Sequence, residues 1–113
     1  MKNVLATHAF TVADWCELAQ AWTGEGQMGR AGVCYRAALD LDPDSAELWF
    51  MLAHCQTEVG MLAQAARSLR HVLVLDPRYG EARTALVHVL LRQGKSVDAF
   101  QVWWDGKKRR QVR

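Results

Sequence analysis

The sequence predicts an all-α protein, a right-handed solenoid of three antiparallel helix pairs. Three observations carry that reading. First, residues recur at an offset of 34: Leu39-Asp40-Leu41-Asp42-Pro43 returns as Leu73-Val74-Leu75-Asp76-Pro77, and Trp15, Leu18 and Ala19 return as Trp49, Leu52 and Ala53. Second, apolar residues within each unit follow the helical period. Third, the punctuation repeats: Gly26, Gly60 and Gly94 fall mid-unit, and Pro43 and Pro77 fall between units, where a proline cannot continue the preceding helix.

Each element follows from its own residues. A helix over 12–24 places Trp15, Leu18, Ala19 and Trp22 on one face, with Thr11 as its cap and Asp14 three residues on. A helix over 28–41 gathers Ala31, Tyr35, Ala38 and Leu39, although Gly29 and Gly32 each weaken it by ~1 kcal/mol relative to Ala. Over 45–58, Trp49, Leu52 and Ala53 repeat the first face, and Asp44 and Glu47 are spaced as a capping box. Over 62–75, Ala65, Leu69, Val72 and Leu73 repeat the second. The last pair spans 79–93, with Leu86, Val87 and Leu90, and 96–105, with Ala99 and Trp103. Ala19 opposite Ala31, and Ala53 opposite Ala65, let paired helices approach closely. Trp103 takes a core position, and Trp104 points about 100° away from it. Residues 1–11 show no period and form a leader. Residues 12–106 divide into units 12–45, 46–79 and 80–106, and 107–113 form a basic tail.

These residues resemble the tetratricopeptide repeat, a unit of 34 residues. Its ordered run of aromatic, Leu, small residue, aromatic, Gly, Ala, aromatic, Ala and Pro is met in the first unit by Trp15, Leu18, Ala19, Trp22, Gly26, Ala31, Tyr35, Ala38 and Pro43. The second unit answers with Trp49, Leu52, Ala53, Gln56, Gly60, Ala65, Leu69, Val72 and Pro77. The third departs furthest, with Arg83 in the first aromatic place and Gly106 before the tail. The resemblance implies a superhelix whose first helices line a concave groove for a segment of a partner protein. Carried over residue by residue, it places Cys16, Gln20, Phe50, Met51, His54, Glu58, Thr84 and His88 in that groove. Phe50 and Met51 are its adaptable apolar contacts.

Within this family a frequent ligand is the acidic tail of heat-shock chaperones, held by Lys, Arg and Asn side chains. The matching positions here hold Cys16, Gln20, Met51, Glu81 and Ala85. They lack those cations, and Glu81 repels a carboxylate, so that ligand is excluded. The expected partner is an apolar or amphipathic protein segment, and the expected role is adaptor, scaffold or chaperone. Small bacterial secretion chaperones of this family share the size and repeat number. A third role is self-association through the apolar last helix, with Phe100 and Trp104 as contacts.

Composition narrows the classes further. With 113 residues, 50% apolar and 23% charged, the chain affords a core and is not disordered. No apolar run approaches the ~20 residues of a membrane span, and the start is a poor signal peptide. Cys16, Cys34 and Cys55 cannot all pair within one chain and form no C-x-x-C, so reduced cytoplasmic thiols are expected. The net charge of +2 conceals an acidic body: Lys107, Lys108, Arg109, Arg110 and Arg113 supply five of 14 basic residues, whereas all 12 acidic residues precede them. A nucleic-acid surface would instead carry its cations on the folded body, so no nucleic-acid partner is expected.

No catalytic or cofactor chemistry emerges. His54 and His88 occupy equivalent places, but two imidazoles fall short of the four ligands zinc prefers. A Cys16–His54 pair has no orienting group or oxyanion hole. Gly24-Glu25-Gly26-Gln27-Met28-Gly29 has the spacing of a phosphate loop but follows no strand.

Overall fold

The computed structural model describes residues 9–111. Six helices follow one another: α1 Val12–Gly24, α2 Met28–Leu41, α3 Ala46–Glu58, α4 Leu62–Leu75, α5 Gly80–Arg92 and α6 Ser96–Gln111. Among the described residues there is no strand. The main contacts join helices consecutive in the chain, the pattern of a solenoid. Its radius of gyration is 16.0 Å, against about 13 Å for a compact domain of this length. Among the described residues no helix is long and apolar enough to cross a membrane.

The helix starts are specified locally. Thr11 Oγ1 accepts from Asp14 N at 3.2 Å, and Asp14 Oδ2 accepts from Thr11 N at 2.9 Å. Phe10 packs on Trp15 with ring centroids 4.8 Å apart, so a hydrophobic staple accompanies the capping box. Phe10 and Thr11 therefore serve the start of α1, and only 1–8 of the expected leader lies outside the described residues. At α3 the cap is Ser45, whose Oγ accepts from Leu48 N at 3.2 Å. This displaces the expected Asp44–Glu47 box by one residue.

The three turns within pairs are copies of one another. Gly26, Gly60 and Gly94 have φ of 75°, 86° and 77°, a region open to glycine and strained for other residues. Around each, two backbone bonds close the helix end. Gln27 N, Met61 N and Lys95 N reach Trp22 O, Gln56 O and Leu90 O at 2.8–2.9 Å, and the glycine N–H reaches Thr23 O, Thr57 O and Leu91 O at 3.0–3.1 Å. This is the Schellman arrangement, which satisfies the last carbonyls of a helix.

A second tie joins successive pairs. Trp49 Nε1 donates to Pro43 O at 2.9 Å, and Arg83 Nη2 donates to Pro77 O at 2.8 Å. Arg83 thus preserves the hydrogen bond of the aromatic position it replaces. Its stem occupies space that a Cβ on Gly106 would take, since that carbon would collide with Arg83 Cδ. Gly106 stands where the earlier units have Ala38 and Val72, so the larger residue at one site is matched by the smaller at the other.

The core runs through the stack. Ala19, Ala31, Ala53 and Ala65 are buried, as are Leu52, Leu69, Leu86 and Leu90. Two expected core residues are not. Leu18 is 37% exposed although its equivalents Leu52 and Leu86 are buried, because no described helix lies beyond α1 to cover it. Trp103 is 44% exposed although its equivalents Tyr35 and Leu69 are buried. Those two are covered by the pair that follows, and no described helix follows α6. Val102 and Ala99 are buried in α6 instead. The last helix also runs past the expected end at 105 to Gln111. Lys108, Arg109 and Arg110 lie in its final turn, where cations complement the helix dipole.

Two predictions follow from the backbone and the buried thiols. Gly32→Ala places its Cβ at ordinary contact distance, 3.5 Å from Cys55 Cβ, and should stabilise the fold by ~0.5–1 kcal/mol. Gly60→Ala meets no neighbour but must hold a positive φ, and should destabilise by about 1–2 kcal/mol. Urea titration of both variants checks the opposite signs. Burial, reinforced by the neighbouring Cys34, pushes the Cys55 thiol from its ordinary 9.0 up to about 11. The folded state then keeps a proton that the unfolded chain releases. Stability is therefore expected to fall as pH rises from about 9 to about 11, and Cys55→Ala should flatten that decline in unfolding curves recorded across this range.

Candidate functional site

The concave side is built from the first helix of each pair. Between α3 and α5 lies a cavity of about 160 Å³, lined by Phe50, Ala53, His54 and Thr57 of α3 and by Ala85, His88, Val89 and Arg92 of α5. Leu69 of α4 forms part of its floor. The lining is mostly apolar, with imidazoles and one guanidinium added. Because equivalent residues stack along neighbouring helices, the 34-residue spacing brings His54 and His88 to the same cavity.

Of the residues expected in the groove, Phe50, His54 and His88 meet here. Phe50 is half-buried and packs on Tyr79, ring centroids 5.1 Å apart. Its neighbours Ala53, Leu69 and Val89 belong to the core of the second and third pairs, so the anchor is set into packed structure rather than standing free. His54 and His88 are exposed.

The other expected residues do not line this cavity. Met51 is half-buried against the core of the first pair, with Cys16 alongside the same cluster. Gln20, Glu58 and Thr84 are exposed on α1, α3 and α5 without lining the cavity. Among residues not assigned to the groove, Ala53, Leu69 and Val89 line it. Their spacing marks them as core, and one side chain here serves both purposes. Glu47, Glu58 and Glu81 do not line the cavity, and Arg92 does.

Cys16 does not join His54 in the cavity. Its thiol is pushed up by burial and by the Glu47 carboxylate, which disfavours the thiolate a nucleophile needs. Among the described residues no group of three or more His, Cys, Asp or Glu side chains is placed to hold a metal. Cys16, Cys34 and Cys55 are free thiols.

A second apolar surface lies at the far end. Phe100, Trp103 and Trp104 of α6 form an exposed aromatic cluster, with Phe100 and Trp104 stacked 5° from parallel at 6.3 Å. Lys107 Nζ lies 5.4 Å from the Trp103 ring centroid. Phe100 and Trp104, the expected oligomer contacts, are therefore adjacent, and Trp103 joins them.

Comparison with known proteins places this geometry. Two sequence models of the tetratricopeptide repeat match, one over residues 15–45 and the other over 34–67. No curated protein matches the sequence. Among solved structures, that of MamA superposes with a TM-score of 0.82 at 21% identity, covering 93% of this chain and 61% of the MamA chain. The Yersinia enterocolitica type III secretion translocator chaperone SycD superposes with a TM-score of 0.79 at 19% identity, covering 89% of this chain and 76% of SycD. The second repeat domain of Spaghetti (RPAP3), bound to an HSP90 peptide, superposes with a TM-score of 0.76 at 20% identity, covering 82% and 86%. SycD has also been solved with a peptide of the translocator YopD.

The packing of Phe50 has an energetic consequence. Phe50→Ala removes its contact with Tyr79 and the neighbouring core, and should cost about 1–2 kcal/mol of stability, less than the 3–5 typical of a fully buried Phe. His88→Ala, at an exposed position, should change stability by less than about 0.5 kcal/mol. Thermal and urea unfolding of the two variants separate these effects.

Proposed function

This chain is a tetratricopeptide-repeat protein, and from that premise we propose that it is a non-enzymatic adaptor or chaperone that holds a segment of a partner protein in its concave groove. The observation that carries the reading is the cavity between α3 and α5, where the half-buried Phe50 ring meets Ala85, Val89 and the exposed imidazoles of His54 and His88. An apolar floor with polar groups at its margin suits one apolar side chain of a bound segment. Arg92 at the same cavity offers a donor to that segment's backbone carbonyls. SycD and Spaghetti, two proteins of the same fold, have been solved with peptides, which supports the class of ligand. A secretion-type chaperone is one form of this role. The compartment proposed is the cytoplasm, where three free thiols stay reduced.

The aromatic end of α6 favours a second reading, in which Phe100 and Trp104 join two copies of the chain. The two readings separate cleanly. Once a partner segment is identified by affinity capture, its titration against Phe50→Ala should show binding weakened ~30-fold or more, as for a central aromatic anchor, and Trp104→Ala should bind as wild type. Loss of binding in Trp104→Ala with Phe50→Ala unaffected overturns the groove reading. A dimer in light scattering that dissociates in Trp104→Glu establishes the self-association reading.

A further inference from the structure

A second cavity lies on the opposite side, in the seam between the first and second pairs. It is an open cleft of about 420 Å³ lined by Arg36 of α2, Trp49 and Gln56 of α3, and Gln64, Arg67, Ser68 and His71 of α4. We propose that this seam is an oxyanion site that takes a phosphate group, either free or as a monoester of a small molecule.

Charge comes first. Arg36 and Arg67 both line the cavity, no carboxylate does, and among the described residues neither guanidinium has a hydrogen bond or ion pair. Two free guanidiniums facing one cavity present the forked donors that phosphate oxygens match. The floor is polar as well. Ser68 Oγ donates to Gln56 Oε1 at 2.7 Å, and both residues are buried. Gln64 Oε1 is buried without a partner. Half a turn of that amide replaces the unpaired acceptor with an NH2 donor. One wall is fixed by Trp49, held to Pro43 O and packed on His71 with ring centroids 4.4 Å apart.

The repeat supplies an internal control. Thirty-four residues on, the equivalents of Gln56 and Ser68 are Leu90 and Val102, both buried and apolar. The equivalents of Gln64, Arg67 and His71 are Asp98, Gln101 and Asp105. There Gln101 Nε2 donates to Asp105 Oδ1 at 2.9 Å, and Arg83 spends its guanidinium on Pro77 O. The next seam keeps arginines at the places of Arg36 and Trp49, Arg70 and Arg83, but sets them over an apolar pair and beside two carboxylates. What sets the first seam apart is its polar floor and the lack of carboxylates beside its two arginines, and it does not involve the concave groove.

The test is calorimetric titration of the full chain with inorganic phosphate and with phenyl phosphate, at constant ionic strength. Binding of either ligand is expected, lost at least ~tenfold in Arg36→Gln and in Arg67→Gln and retained in Arg70→Gln, an exposed arginine of α4 outside the cavity. Tighter binding of phenyl phosphate assigns the site to a monoester, and equal binding assigns it to free phosphate. A double variant, Gln56→Leu with Ser68→Val, copies the floor of the next seam and so should fold, and it too should bind more weakly. Absence of binding of both ligands up to ~10 mM, binding undiminished in Arg36→Gln and Arg67→Gln, or equal loss in Arg70→Gln overturns the proposal.

Discussion

The structure depends on a backbone constraint repeated three times, a helix end closed by a left-handed glycine. Gly26, Gly60 and Gly94 each supply a positive φ, and each is bracketed by the same two backbone bonds. The turn reverses the chain within a few residues and lays the second helix of a pair against the first. Only then can Ala19 meet the α2 face carrying Ala31, and Ala53 the α4 face carrying Ala65, all four buried. An isolated pair buries little surface, so stability comes from stacking pairs. The ties from Trp49 to Pro43 O and from Arg83 to Pro77 O set where the next pair sits. Stacking in register then aligns equivalent residues, and that alignment builds both the concave cavity and the opposite seam.

The fold is legible in the sequence because its determinants are local and repeat. Glycine, proline and helical spacing locate all six helices, and Thr11 with Asp14 marks the first start. What escapes local reading depends on neighbours. Leu18 and Trp103 carry core residue types at core positions, yet burial there requires another helix that the described chain does not place. Arg83 departs from the family pattern, but its guanidinium makes the hydrogen bond of the missing aromatic, which no substitution pattern announces. The last helix passes through Gly106, and Arg83 takes the space where a Cβ there would stand.

The candidate site was partly legible for the same reason. Equal spacing puts His54 and His88 together, and adjacency to Trp49 and Leu52 turns Phe50 towards the groove. Met51 and Cys16 share the helices but pack against the first pair. One residue of rotation, about 100° on a helix, divides Met51 from Phe50. The cationic seam was not legible at all. Arg36, Arg67 and His71 come from two helices, and only the stacking of pairs brings them to one cavity over Gln56 and Ser68.

The proposed groove makes the face between α3 and α5 the one a partner would occupy. Hydrogen–deuterium exchange of the full chain, free and with a bound partner segment, reads that face directly. Slowed exchange is expected in α3 and α5 around Phe50 and His88, with α6 unchanged. Protection confined to α6 around Phe100 and Trp104, with α3 and α5 exchanging as in the free chain, would contradict it.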